Sequence, residues 1–190
     1  GALSGTNGIR KTGAGELSIS SINSFTGPTN VDVGLLRVNG SIASSSLTTV
    51  AAGATLAGSG TVGSTLLLGT HEPGNSPGLQ TFTAGLTYGG TSVLEWELSS
   101  NTDSSGDRGV TYDGVNVTGG NLQIDAGAEI DLIFASVLSG GGPSSVSWAD
   151  SFWATNRQWT AVSFSSAGTS TGVFTIGSVG VLFANGQVLL

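Results

Sequence analysis

The chain has 190 residues and a formal net charge of −7, with 32 glycines, 50 serines and threonines, five lysines and arginines, and no cysteine. This composition excludes a disulfide scaffold and a cysteine-ligated metal site, and five scattered cations cannot form a phosphate-neutralising nucleic-acid surface. Apolar residues make up 38% of the chain, too many for disorder, yet no apolar run approaches the ~18 residues that span a bilayer.

Short segments along the chain alternate apolar and polar residues with period two, and glycine or Asn-Gly turns separate them. Period two gives each strand one inward and one outward face. We predict about a dozen strands, with no sustained helical pattern. In chain order the predicted strands lie at residues 16–20, 31–33, 36–38, 47–50, 65–68, 79–82, 93–98, 115–117, 122–124, 130–134, 162–164, 173–176 and 187–190.

Many short strands fit either an antiparallel sandwich or a solenoid, and weak internal self-similarity favours the solenoid. Residues 33–41 and 50–59 share one pattern, in which a strand, a turn glycine and a second strand are followed by a Gly-Ser pair. We therefore predict an all-β, right-handed parallel β-helix of about nine coils, a rod roughly 40 Å long. Residues 1–146 are predicted to form the solenoid, and the aromatic-rich segment 147–190 to complete or cap it.

Two consecutive segments carry a resemblance to a known family. Residues 11–20 (KTGAGELSIS) and 24–40 (SFTGPTNVDVGLLRVNG) resemble the autotransporter-associated β-strand repeat, one copy of which spans about 8–40. Segments 58–63, 73–78 and 147–172 are similar to later sections of the same bacterial exoproteins. The resemblance implies a secreted or surface-displayed parallel β-solenoid.

Both ends of the chain are predicted to present strand edges. Residues 2–4 and 8–10 look like part of a coil rather than a cap, and 187–190 look like a terminal strand. Unpaired edges template further strands, and a head-to-tail contact that does not close produces a filament. The leading prediction is therefore an extracellular structural rod, without cofactor or enzymatic activity, that assembles with its own copies. The predicted self-assembly edges are Leu3, Ile9, Val188 and Leu190.

The aromatic residues Trp148, Phe152, Trp153 and Trp159 form a cluster near the C-terminus. One interpretation is a hydrophobic plug over the open end of the solenoid, or an interface. The alternative is a surface adhesin in which exposed aromatic rings bind glycans. That alternative predicts that the cluster and Tyr88 or Tyr112 face solvent in a groove.

Two carboxylates in segment 93–98, Glu95 and Glu97, lie on one strand face, ~6.5 to 7 Å apart along the strand. This separation falls in the range of glycosidase carboxylate pairs. We expect instead a solvent-exposed face, because Leu94, Trp96 and Leu98 alternate with them and no nearby His, Tyr or Arg completes a catalytic group.

Further acidic residues suggest a calcium site. Asp103, Asp107 and Asp113 lie in one polar loop, where hard oxygen ligands could hold Ca²⁺, although Arg108 could pair with Asp107 instead. Asp125, Glu129 and Asp131 also project outward. If they stack over Glu95 and Glu97, the like charges are unfavourable without screening.

His71 is the only histidine, which excludes a multi-histidine metal site. It lies in the turn-rich segment 70–77 without a nucleophile elbow, so a structural or exposed histidine is expected. Two glycosylation sequons begin at Asn39 and Asn116.

Overall fold

The computed structural model describes residues 1–136, 146, 150–183 and 188–189, and it confirms the all-β prediction. The strands form three sheets of mainly parallel neighbours, the arrangement of a parallel β-helix. The helical segments among the described residues are two single 3₁₀ turns, Ser105–Asp107 and Ser151–Ala154. No helix in this part of the chain has the length and apolarity to cross a membrane.

The chain passes through sheets 1, 2 and 3 in turn. In spatial order, sheet 1 contains β1 (Ile9–Lys11), β3 (Thr29–Val31), β6 (Thr48–Val50), β9 (Thr65–Leu67), β12 (Leu86–Tyr88), β15 (Leu122–Ile124) and β18 (Ser170–Thr171). Sheet 2 contains β2 (Glu16–Ile19), β4 (Gly34–Val38), β7 (Ala54–Gly58), β10 (Thr70–Pro73), β13 (Val93–Leu98), β16 (Glu129–Ser136), β19 (Thr175–Phe183) and β20 (Val188–Leu189). Sheet 3 contains β5 (Ser41–Ile42), β8 (Thr61–Val62), β11 (Leu79–Phe82), β14 (Gly114–Val117) and β17 (Val162–Phe164).

The number of coils differs from the prediction. Sheet 1 has seven strands in the described chain, so the expectation of about nine coils is wrong. The predicted spacing was 18 to 22 residues per coil, but two longer segments lie between strands of successive sheets: residues 99–113 between β13 and β14, and 137–161 between β16 and β17. The three sheets continue into β17, β18 and β19, which lie parallel to β14, β15 and β16.

The core is a stack of inward-facing side chains. Along sheet 2, Leu36, Leu56, His71 and Leu94 occupy one column at successive rungs, and each is fully buried. Burying a leucine side chain contributes roughly 2 kcal/mol, so each rung adds to the core of its neighbours. The single histidine therefore replaces a leucine in the middle of an apolar column.

The first corner of the solenoid is held by Lys11. Its side chain is 7% exposed, and its amine donates to the backbone carbonyls of Gly13 (2.6 Å) and Val33 (2.9 Å). Gly34 follows with a φ of +77°, and a Cβ there would lie 2.5 Å from Gly13 O. The Lys-Thr-Gly segment thus supplies the cation that satisfies carbonyls where two coils turn.

A column of buried threonines runs along sheet 1. Thr29, Thr48 and Thr65 are neighbours in register. The hydroxyl of Thr29 bonds with Ser45 Oγ at 3.0 Å, and that of Thr65 donates to Gly63 O at 3.1 Å. Among the described buried side chains, Thr48 Oγ1 has no hydrogen-bond partner.

Replacing this hydroxyl by a methyl group is expected to stabilise the protein. Thr48→Val keeps the shape of the side chain and removes a buried group without a partner, so the free energy of unfolding should rise by about 1 kcal/mol. The matched variant Thr65→Val leaves Gly63 O without its donor and should lose about 1 kcal/mol. Urea unfolding of both variants measures the difference, and equal effects at the two positions would contradict the assignment.

Candidate functional site

The outer face of sheet 2 carries an acidic groove of about 400 Å³. In β13 the side chains of Leu94, Trp96 and Leu98 are buried and those of the alternating residues face outward, as predicted. The polar side chains among the described residues that line the groove are Arg37, Glu72, Asn75, Ser76, Glu95, Glu97 and Asp113.

Like charges lie at neighbouring rungs of this face. Glu95 is the register partner of Asp131, at the ~4.8 Å strand spacing. Burial raises the pKa of Glu95, and the charges of Glu72, Asp131 and Glu97 raise it further. The expected stacking is thus present at Asp131 alone, because Glu129 lies beside Val93 and the carboxylate of Asp125 accepts a bond from Gln123.

Asp113 fixes the wall of the groove. One carboxylate oxygen accepts the backbone N–H of Gly78 at 2.7 Å, and the other accepts that of Glu97 at 3.0 Å. Burial raises the pKa of Asp113 to about 8, although these two donors favour the charged form; the charges of Glu97 and Glu72 raise it further. The side chain therefore ties the loop after β10 to β13.

The structure does not bring the three predicted calcium ligands together. Asp103 forms an ion pair with Arg157 at 3.2 Å, and Asp107 accepts a bond from Thr102 Oγ1 at 2.5 Å. Asp113 lies in the acidic groove. Within the described ranges, no three His, Cys, Asp or Glu side chains are placed to hold a metal ion.

The suggested pairing of Arg108 with Asp107 is wrong. The Arg108 guanidinium donates to Thr160 O (2.6 Å), Val115 O (2.7 Å) and Asn116 Oδ1 (2.7 Å). It thereby fastens the inserted loop to β14 and to the second insertion, while the carboxylate of Asp107 accepts from Thr102. The sequon residue Asn116 is thus engaged in this contact, whereas Asn39 is exposed.

Two residues of the predicted aromatic cluster pack against aromatic side chains of the first insertion and of sheet 2. Trp153 and Trp159 contact a buried group that contains Trp96, Tyr112 and Phe134. Phe152 contacts Trp153 edge-to-face with ring centroids 4.9 Å apart. Phe152, Trp153 and Trp159 are all half-buried, and Trp148 lies outside the described residues.

The burial of Tyr88 and Tyr112 contradicts one expectation of the glycan-binding alternative. Neither faces solvent, since Tyr88 is 0% exposed and Tyr112 is 1% exposed. Tyr88 lies two residues after the buried Leu86 in β12 and shares its face, so strand periodicity already contained the signal for its inward orientation.

His71 belongs to a buried hydrogen-bond network, which confirms the structural alternative. Its Nδ1 lies 2.7 Å from Tyr88 Oη, and its Nε2 lies 2.8 Å from Gln80 Oε1. Gln80 Nε2 donates to Ala57 O, so Gln80 Oε1 is an acceptor and His71 carries its proton on Nε2. Burial lowers the pKa of His71 to about 4, although the bond to Gln80 acts in the opposite direction. Gln80 is not among the predicted site residues, although it lies two residues before the inward Phe82 in β11 and shares its face.

The first coil leaves the interior of the solenoid open. A hollow of about 250 Å³ at this end is lined by Leu3, Ile9, Leu17 and Ile19, with Asn23 at its side. The Leu3 backbone is tied down, donating to Asn23 Oδ1 at 2.8 Å and accepting from Ser24 N at 2.9 Å. Leu3 and Ile9 therefore line the same hollow, and their role as self-assembly edges stays a prediction.

At the opposite end of sheet 2 the chain turns back. Val188 lies in β20, which is antiparallel to β19, so this strand does not continue the parallel ladder. Leu190 lies outside the described residues. The last coil exposes apolar side chains, with Val173 80%, Ile176 66% and Val179 43% accessible.

No protein-family model, curated protein or solved structure matches the chain. The resemblance to the autotransporter-associated repeat and the expected lack of enzymatic activity therefore stay predictions. Functional assignment rests on the fold and on the geometry of the acidic groove, the aromatic cluster and the open first coil.

Proposed function

We propose that the chain is a structural β-solenoid module of an extracellular or surface-associated bacterial protein, and that copies assemble end to end through the first coil. The observation that carries the proposal is the open apolar hollow beside two strands, β1 and β2, that pair on one side only in the described chain. Extracellular placement is supported by the composition and by the resemblance of residues 11–40.

The edge of β1 offers free backbone groups. Ile9 N–H donates to Pro28 O and Lys11 O accepts from Asp32 N, both at 2.9 Å, so residues 9 and 11 point their backbone groups toward β3. Because successive residues of a strand alternate, the N–H and C=O of Arg10 point away from the sheet.

The edge of β2 has the same property. Gly15 O accepts from Leu35 N and Ile19 O accepts from Asn39 N, so residues 15, 17 and 19 face β4. The backbone groups of Ser18 then point outward. Two adjacent edges flanking an apolar hollow are suited to the addition of another coil.

The distribution of charged and exposed apolar side chains between the two ends of the solenoid favours a head-to-tail contact. Residues 1–68 contain three cationic and two acidic side chains, whereas residues 69–190 contain two cationic and ten acidic side chains. The less acidic end carries the hollow, and the exposed Val173, Ile176 and Val179 belong to the other end. Complementary ends of one rod repeat without closing and generate a filament.

A double proline variant tests the edge. Arg10→Pro with Ser18→Pro removes two outward N–H donors and, since proline is tolerated at such edge positions, leaves the bonds to β3 and β4 intact. We expect wild type to form concentration-dependent rods in sedimentation velocity and negative-stain electron microscopy, and the proline variant to remain monomeric.

The matched control is Arg10→Ala with Ser18→Ala, which removes the exposed ion pair of Arg10 with Asp32 but keeps both N–H groups. It should assemble like wild type. Circular dichroism verifies that all three proteins are folded. A wild type that stays monomeric at high concentration, or a proline variant that assembles normally, contradicts the proposal.

A further inference from the structure

The two insertions form an open depression of about 590 Å³ beside the aromatic cluster. This volume falls within the roughly 300–1,000 Å³ of small-molecule sites. Besides the buried Tyr112, the described residues that line it are Asp103, Ser105, Arg157, Gln158, Trp159 and Thr160. The depression is distant in sequence from the strands of the first coil and takes no part in the proposed assembly.

Trp159 forms a rigid aromatic wall. Its ring centroid lies 5.6 Å from that of Trp96 and 6.1 Å from that of Trp153. Its indole N–H donates to Thr102 O at 2.6 Å, which fixes the orientation of the ring. A half-buried ring held in this way contacts a ligand without paying further ordering entropy.

The charged groups of the depression neutralise each other. Arg157 donates to Asp103 at 3.2 Å and to Phe152 O at 2.6 Å, and its guanidinium carbon lies 3.9 Å from the centre of the Phe152 ring. The guanidinium is thus held by three partners. The site therefore offers neither an unpaired cation for an anionic ligand nor an unpaired carboxylate for a metal.

The remaining polar side chains are neutral and available. Ser105, Gln158 and Thr160 are exposed, and none of these three side chains forms a hydrogen bond within the described residues. Two hydroxyls and an amide provide both donors and acceptors. Their combination with an aromatic wall matches a sugar, which presents C–H groups on a ring face and hydroxyls around its edge.

We propose that this depression binds a neutral saccharide, with Trp159 stacking on a sugar ring and Gln158 bonding to its hydroxyls. The site would give the structural module a means to adhere to polysaccharide. It depends on the two insertions and not on assembly, so a monomeric chain would bind equally well.

The experiment uses the whole chain with cellotriose, maltotriose and triacetylchitotriose, and with trigalacturonic acid as an acidic comparison. Binding is measured by calorimetry and by tryptophan emission, because Trp159 is the expected contact. At least one neutral trisaccharide should bind with a millimolar or lower Kd and change the emission. Gln158→Ala should weaken that binding roughly 3- to 10-fold, the effect of one neutral hydrogen bond.

The matched control is Asn156→Ala, an exposed amide of the same segment that does not line the depression, and it should bind like wild type. The proposal is overturned if no neutral trisaccharide binds, if Gln158→Ala binds like wild type, or if the acidic sugar alone binds. Repeating the titration with the double proline variant separates this result from assembly.

Discussion

Replacing His71 by alanine is expected to lower the free energy of unfolding by about 4 kcal/mol or more. The substitution opens a cavity in the fully buried column between Leu56 and Leu94. It also leaves Tyr88 and Gln80 without the hydrogen bonds that satisfy them, at a cost of about 1 to 3 kcal/mol each. Such a loss is a large part of the total stability of a domain, and urea unfolding followed by tryptophan fluorescence measures it.

Two further variants separate the free-energy cost of the cavity from that of the lost hydrogen bonds. His71→Phe keeps an aromatic ring but leaves Tyr88 and Gln80 without their hydrogen-bond partner. It should therefore recover only part of the stability that His71→Ala loses. Tyr88→Phe removes one donor without a cavity and should cost about 1 kcal/mol. If His71→Ala were destabilising by less than Tyr88→Phe, the network would not have the structural role assigned to it.

The stability profiles of His71 and Asp113 variants should change with pH in opposite directions. His71 has a pKa of about 4 when folded and about 6.5 when unfolded, so its contribution is complete above pH 6.5 and is lost as the pH falls toward 4. Asp113 has a pKa of about 8 when folded against 3.8 when unfolded, so its contribution is present below pH 3.8 and is lost as the pH rises through 8.

The difference in the free energy of unfolding between each variant and wild type, measured as a function of pH, isolates the contribution of the replaced group. As the pH rises from 4 to 6.5, the stability of His71→Phe relative to wild type should fall. As the pH rises from 4 to 8, the stability of Asp113→Asn relative to wild type should increase. Each slope is at most about 1.4 kcal/mol per pH unit, the limit for one proton. Glu72 and Glu95, whose pKa values burial also raises, are present in all three proteins, and their contributions cancel in the His71→Phe difference. Parallel profiles for wild type and either variant would contradict the corresponding assignment.

Local periodicity predicted several strand positions, although the described residues contain twenty strands against about a dozen predicted. Predicted segments 79–82, 93–98, 122–124 and 162–164 coincide with β11, β13, β15 and β17. The inward orientation of Leu94, Trp96 and Leu98 also followed, because the pleat places alternate side chains on opposite faces. The same rule places Tyr88 inward, whereas the glycan-binding alternative expected Tyr88 or Tyr112 to face solvent.

Contacts between distant residues could not be predicted in this way. Asp113 bonds to Gly78 across 35 residues, and Trp159 bonds to Thr102 across 57. Which residues meet depends on the register between coils and on the length of each insertion. The sequence therefore indicated acidic and aromatic residues without showing that Asp113 lies in one groove and Asp103 in another depression.

The sequence by itself determined that this chain forms short, glycine-bounded strands with one apolar face, since both properties depend on neighbouring residues alone. Only the tertiary structure decided the seven strands of sheet 1 in the described chain, the buried network of His71 and the depression between the insertions. These features arise where coils stack, and stacking satisfies backbone and side-chain groups that lie many residues apart.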